Sequence, residues 1–443
     1  MRSLCYNSFF QQLTCKDKEL RGRVLNRVLA LVGAAICLVG LASCGGSNNG
    51  TTQVTTPNGN TVNNPSGSLK NRAFISNQYS GNLQIVDSAN DTTAFFSSSN
   101  TNVNTTNQIV DLSVNIPVGI STTFLARSPD GTTTAVYDPA SVAITFLTNS
   151  TQAIIGTFSV PTAASMELFS ADSTTLYVPT ANAPVSGTIP GAIQVADVTT
   201  FSITSSIAVP SVRWIALNPA GSIMLAFAAN SDSMWFINLG ATPIAPVALP
   251  GFSRPVGAFF SSDGNTAYVL NCGNQCGGSA PPSVAVFNMT TQTITSTIVV
   301  GGASVGLLNG TTLYVAGYGG GQTGTFDIVD VAGMARTTAN SIVINDGQQW
   351  KMALNNNKVY IGAVTCSNIS TGCLSIVNLA TQTVDPPLPP LGAVTGLLSV
   401  PNRDTMYTIQ GGVLYIYDTT TDQLQKTQLA FRGALYDVLQ IDQ

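Results

Sequence analysis

Ser261-Ser262-Asp263-Gly264-Asn265-Thr266-Ala267-Tyr268-Val269 is a tight turn running into a short apolar strand, and the chain repeats it. Ser128-Pro129-Asp130-Gly131 leads into Ala135-Val136, Ser170-Ala171-Asp172-Ser173 into Tyr177-Val178, and Asn218-Pro219-Ala220-Gly221 into Leu225. Asn309-Gly310 leads into Tyr314-Val315, weaker copies reach Tyr360-Ile361 and Tyr407, and Phe74-Ile75 opens the series. Ser, Asn and Asp hydrogen-bond their own backbone in such turns, and Gly supplies the left-handed residue. The aligned positions 74, 135, 177, 225, 268, 314, 360 and 407 are spaced by 61, 42, 48, 43, 46, 46 and 47 residues. A unit of four short strands recurring at this period is the signature of an all-β propeller.

The remaining strands can be counted around that frame. Third strands alternate in polarity and end in a turn: Leu83–Asp87, Ser283–Asn288, Thr325–Val329, Leu374–Asn378 and Leu414–Asp418. A fourth strand follows, as at Ile294–Val300. Inner strands precede Ser128, Ser170, Asn218, Ser261, Asn309, Asn355 and Pro401, and an eighth, Ala434 to Leu439, ends the chain. The first repeat lacks an inner strand, so the C-terminal strand is expected to complete the first blade and remove the exposed edges. The count predicts eight blades. Seven stays open, because the first spacing of 61 is irregular and Ser97–Gln108 is polar.

Charged residues make up only 9% of the chain, and no basic run lies beyond residue 27, which argues against nucleic acid as a partner. The amino terminus carries six basic residues (Arg2, Lys16, Lys18, Arg21, Arg23, Arg27), then an apolar run from Val28 to Leu41, then Ala42-Ser43-Cys44. That run is short for a bilayer span and fits the core of a signal peptide over residues 1–43. A stop-transfer helix with an incidental Cys is the alternative. Leu41-Ala42-Ser43-Cys44 resembles the lipobox of bacterial lipoproteins. The resemblance implies acylation of Cys44, cleavage before it and anchoring in a lipid bilayer; with no Asp after Cys44, it implies outer-membrane sorting, facing the periplasm or the cell surface. The stretch before the apolar core is long for a leader, and a translation start near Val24 is expected. Cleavage would remove six basic and two acidic residues, leaving 11 basic and 19 acidic, a net charge of −8.

Residues 44–68 read as a lipidated Cys and a flexible tether, since 45–68 contain no aromatic residue and Val as the only large apolar type. Its 24 residues from 45 on would span roughly 25–30 Å. The propeller is expected over 69–443. Of eight Cys, four remain beyond Cys44, as Cys272 with Cys276 and Cys366 with Cys373. Each pair shares one short polar loop, so two local disulfides are expected, consistent with an oxidising compartment. A four-Cys zinc site is the alternative, but repeats five and seven are separated in a propeller.

The turn followed by Tyr-Val, with Tyr268-Val269-Leu270-Asn271 nearest the full motif, resembles the Tyr-Val-Thr-Asn family of bacterial β-propellers over about 69–443. Only repeats three, five and six keep the Tyr-Val pair. The family includes surface proteins, lactonase-like enzymes and electron-transfer proteins, so the resemblance implies fold more than function.

The chain has no His, which removes Ser-His-Asp and Cys-His nucleophile pairs, imidazole metal ligands and a c-type haem motif. No catalytic constellation, metal site or cofactor is expected. Beyond the leader the only Glu is Glu167, and the Asp residues fall in turns (Asp130, Asp172, Asp263, Asp404) or at strand ends (Asp87, Asp197, Asp330, Asp418). Aligned on the turn, Arg213, Glu167 and Arg127 lie five, three and one residues before it and share strand parity with Val256, Ala258, Phe260, Ile215 and Leu217. An ion pair between Glu167 and one of the two Arg residues is therefore expected within an apolar packing surface. Trp214, Trp235 and Trp350 are expected in the core.

The loop after the Tyr-Val strand is swollen in repeat three (Pro179–Gly191), five (Cys272–Pro282), six (Gly317–Gly324) and seven (Thr365–Cys373). These equivalent loops share one rim, and insertions in repeat proteins gather on a binding face; unconstrained drift is the alternative. Tyr79, Asn274, Gln275, Tyr318, Gln322 and Asn368 are the candidate rim residues. The reading is a lipid-anchored extracytoplasmic binding or scaffold module whose partner is a protein or glycan. A lactonase-like hydrolase and a structural envelope protein are the alternatives.

Overall fold

The computed structural model describes residues 54–55, 61–62, 71–93, 115–185, 189–318, 323–366, 373–385, 391–425 and 434–442. Residues 1–43, where a signal peptide is expected, Cys44, Ser97–Gln108, Gln322 and Asn368 lie outside the described residues. The chain divides into Met1–Asn49 and Gly50–Gln443. Before the first blade strand, Val54–Thr55 pairs with Thr61–Val62 in a two-residue antiparallel ladder. β-Branched Val and Thr residues favour such a pair.

Eight antiparallel sheets form a closed ring, a β-propeller. Blade five shows the pattern: inner strand Pro255–Phe260, then Thr266–Asn271, Ser283–Asn288 and outer strand Thr293–Val299. Blade one closes as expected, its inner strand Leu435–Gln440 pairing with Arg72–Asn77. Eight, not seven, is therefore the blade number. The irregular first spacing is an insertion within the outer strand of blade one. Thr92–Thr93 and Asn115–Pro117 pair with opposite ends of the same strand, Asn82–Asp87. The outer strand of blade six is divided in the same way, Ala335–Arg336 and Ile342–Ile344 both pairing with Gly324–Asp330.

The turn chemistry is what the residue types dictate. Ser261 Oγ donates to Asp263 (2.6 Å) and accepts from the Thr266 N–H (3.0 Å), while Gly264 takes φ +71°. Ser128 with Asp130 and Ser170 with Asp172 repeat this network; Asn218 substitutes its amide oxygen, accepting from the Ser222 and Ile223 N–H groups at 2.9 Å. The Ser261 hydroxyl and the Asn265 N–H hold the Asp263 carboxyl down at about 2.

Because successive strand residues point to opposite faces, the Tyr-Val pair serves two interfaces at once. Tyr268 packs towards blade six with Leu313, Val315 and Val329, whereas Val269 packs towards blade four with Leu225, Phe227 and Phe236. Tyr177 and Val178, Tyr314 and Val315, and Phe74 and Ile75 divide their neighbours in the same fashion. The repeat is thus the interblade core written along the chain. Where the ring closes, polar latches are added. Tyr407 donates to Asp91 (2.6 Å), which Arg403 grips bidentately at 2.6 and 2.7 Å; Tyr360 donates to Asp422 (2.9 Å), which also pairs with Lys358. Asp91 and Asp422 occupy equivalent left-handed positions, φ +53° and +57°, in the turns of blades one and eight.

Candidate functional site

The antiparallel strand order puts the turns after inner strands, and those before outer strands, on one rim. The loops between second and third strands share the other rim with the interblade connections. The turn rim is acidic. Hydrogen bonds from neighbouring hydroxyl and N–H groups hold Asp172, Asp197 and Asp418 below the usual carboxylate range, and for Asp130 they outweigh an opposing effect of burial.

The loop rim differs. Cys272–Cys276 and Cys366–Cys373 are disulfides, each with Cα atoms 5.6 Å apart, and they staple the loops of blades five and seven. In the first, Gly273–Cys276 forms one 3-10 turn that leaves Asn274 exposed, and Gln275 donates to the Gly301 carbonyl (3.1 Å). Tyr79 is 83% exposed and Tyr318 is half-buried. Beside Tyr79 lies Ile120, 66% exposed, because Gly119 donates to the Gly81 carbonyl at 3.0 Å and draws the two loops together. Ile189 (65%), Trp214 (39%) and Val413 (40%) are on this rim as well, whereas the described turn rim carries Met334 and, at the start of the outer strand of blade two, Ile154.

A second constellation occupies the centre of the ring, and it does not follow the sequence expectation. A β-bulge interrupts the pairing of the inner strand at the same level in blades four, five, seven and eight, where the extra residues are Arg213, Val256, Trp350 and Thr395. Blade one has the same irregularity at Tyr436-Asp437. Each bulge adjoins the loop rim, and a bulge re-aims side chains. It also breaks period-2 counting, so Arg213 is out of phase with Glu167. Arg213 is exposed, and the expected ion pair is absent: both Glu167 oxygens are buried without a hydrogen-bond partner. Burial, and then the charge of Asp437, push the Glu167 carboxyl well up.

Side chains of non-adjacent blades can meet only across the axis. Two pairs do so. Lys351 of blade seven forms an ion pair with Asp437. Trp350 of blade seven packs on Phe124 at the start of blade two, ring centroids 6.3 Å apart; Phe124 meets Tyr436 edge-on at 5.8 Å, interplanar angle 79°. Tyr137 stacks behind Phe124 at 6.1 Å and accepts the Ala164 N–H at 3.0 Å. Trp350 Nε1 and Thr395 Oγ1 are buried without partners. Of the three Trp residues expected in the core, Trp235 packs there, Trp350 stands at the axis and Trp214 reaches the surface. An available sequence signal was the aromatic–charged dipeptide at the start of an inner strand, Trp350-Lys351 and Tyr436-Asp437.

No family model matches the chain, and none of the curated proteins does. Solved structures do. The dihydro-heme d1 dehydrogenase NirN in complex with DHE is similar with a TM-score of 0.64 at 11% identity, covering 84% of this chain and 75% of that one. The β-propeller domain of Cps50 (Swd1) from Myceliophteria thermophila is similar with a TM-score of 0.51 at 11% identity, covering 67% of this chain and 95% of that one. At such identity the likeness is one of fold: this is a β-propeller protein.

Proposed function

We propose that the chain is a lipid-anchored extracytoplasmic binding module of the Tyr-Val-Thr-Asn type, which engages a protein or glycan through its loop rim. The observation that carries the reading is the asymmetry of the two rims. The turn rim is a solvated acidic surface. The loop rim bears Tyr79, Ile120, Ile189, Trp214 and Val413 exposed, next to two disulfide-stapled loops. Aromatic and apolar residues on a preordered surface lower the cost of desolvation and ordering on binding. The disulfides also favour an oxidising compartment, which agrees with an anchor at Cys44.

Cross-linking in intact cells, followed by mass spectrometry of copurifying material, tests this. The control carries shortened loops at 181–190 and 318–323. A partner captured by the native chain and lost from the control is the expected result; identical partners in both samples would contradict a loop-rim site. For the anchor, Cys44→Ala is expected to move the protein from the membrane to the soluble fraction, and an unchanged membrane fraction would refute lipidation.

A further inference from the structure

The latch between blades seven and eight differs from the one between blades eight and one. Lys358 and Tyr360 lie two residues apart on the second strand of blade seven, Lys358–Ala363, so both side chains point towards blade eight. There they meet Asp422. Lys358 Nζ contacts Asp422 Oδ2, and the Tyr360 hydroxyl donates to Asp422 Oδ1 at 2.9 Å. Asp385, just past the outer strand Thr383–Val384 of blade seven, brings its Oδ2 to 3.7 Å from the same Nζ. That oxygen is buried and has no hydrogen-bond partner. Two carboxyl groups thus share one amine, and all three side chains are withdrawn from water: Lys358 is 11% exposed, Asp422 14% and Asp385 20%. In the other latch the Tyr407 hydroxyl and a guanidinium, that of Arg403, hold the Asp91 carboxylate.

We infer that Lys358 and Asp422 close into an amide, a covalent cross-link between blades seven and eight. Lys358 Nζ is the nucleophile, Asp422 Cγ the electrophile and Asp385 the proton carrier. The geometry gives each group its role. Burial, and then the charge of Asp422, push the Tyr360 hydroxyl up, so it stays a donor. It is aimed at Oδ1, the oxygen that carries charge in the tetrahedral intermediate and becomes the amide carbonyl. Oδ2, beside Nζ, is the oxygen that leaves. Removing an ion pair from water disfavours both charges, which lets the ammonium pass a proton to Asp422 and present a free amine to a carboxylic acid. Arg403 cannot follow this course, because its guanidinium stays protonated.

The step balances without a co-reactant and involves no oxidation. The Nζ–Cγ bond forms and the Cγ–Oδ2 bond breaks. Of the three ammonium protons, one stays on the amide nitrogen and two leave with Oδ2 as water. Asp385 gives its proton to the departing oxygen and takes one from the nitrogen, so it ends as it began. Burial, and then a hydrogen bond with Asp422, push the Asp385 carboxyl up, which favours the protonated form that this role requires. Held in contact by two packed blades, amine and acid have a high effective concentration, which drives an amide that free partners in water would not form. The bond ties positions 64 residues apart, and blade eight is in turn latched to blade one by Arg403 and Asp91.

The test is intact-mass spectrometry of the purified chain, reduced and unfolded, beside Lys358→Arg, Asp422→Ala and Asp385→Asn. Relative to the native chain, each variant is expected to differ by its substitution plus one water, a comparison that cancels any other processing. Fragmentation of a protease digest of the native chain is expected to show a branched peptide joined at Lys358 and Asp422, and this readout decides the matter even where a variant fails to fold. Masses that differ by the substitution alone, an unbranched native digest, or a water lost at other residues would each overturn the cross-link. A complete cross-link in Asp385→Asn would overturn the role assigned to Asp385.

Discussion

A carboxyl group held neutral by its surroundings makes stability depend on pH in a direction opposite to the usual acid. The Glu167 carboxyl is pushed up by burial and by Asp437. Above its unfolded value the unfolded chain releases a proton that the folded one retains, so this contribution to stability falls as pH rises. Glu167→Gln keeps the shape and removes the penalty. It is expected to be more stable than the native chain at pH 7, on the order of 1 kcal/mol, and the gain should vanish near pH 4; urea denaturation at the two pH values checks this. Asp442 has the opposite sign. Burial raises its carboxyl, but the hydrogen bonds and charge of Arg72 outweigh that and hold it below the usual range. Its stability contribution is complete above pH 4 and is lost as pH falls through the folded value. Asp442→Asn is accordingly expected to flatten the acid limb of the stability curve, measured by the same denaturation between pH 5 and pH 2.

At the scale of elements, the turns and the Tyr-Val strands were legible because their chemistry is local. Asp263 bonds its own turn, and the two faces of Tyr268-Val269 fix which blades must lie on either side. Both disulfides were legible for the same reason, each closing one loop. The axial cluster was not. Its residues come from blades one, two and seven, and the bulges at Arg213, Trp350 and Tyr436-Asp437 shift strand parity by one residue without a Gly or Pro to mark it. Parity counting therefore paired Glu167 with the wrong charge. The latches at the closing blades were equally hidden, since Asp91 and Arg403 lie 312 residues apart. Asp91→Ala would leave the Arg403 guanidinium and the buried Tyr407 hydroxyl without their acceptor, a loss of about 2–4 kcal/mol. A smaller shift in the urea midpoint than Asp91→Asn gives would contradict that role. Replacing both Cys272 and Cys276 by Ser is expected to lower stability by about 2 kcal/mol for so short a loop, and reduction of the native chain should reproduce part of the effect.

For the whole molecule, closure is the decisive feature. The C-terminal strand Leu435–Gln440 brings Asp437 to the axis, covers Ala73 and Ile75, and is followed by Asp442, which grips Arg72 bidentately at 2.7 Å. A chain ending at residue 433 would expose the edge of Arg72–Asn77 and lose the axial ion pair in one step. Loss of a single cooperative unfolding transition, with association visible by light scattering, is the expected outcome. The ring also decides which surfaces can act together, because it gathers the loops between second and third strands on one side and the turns that carry Asp130, Asp172, Asp197, Asp263 and Asp418 on the other, with Asp138 and Asp232 on the loop side. That separation is the central functional claim. It is tested most directly by placing a photo-cross-linking residue at Tyr79, Gln275 and Tyr318 on the loop rim, and at Asn265, Thr174 and Thr420 on the turn rim, in intact cells. Adducts from loop-rim positions, with none from the turn rim, are what the account expects; adducts from both rims alike, or from the turn rim alone, would contradict it.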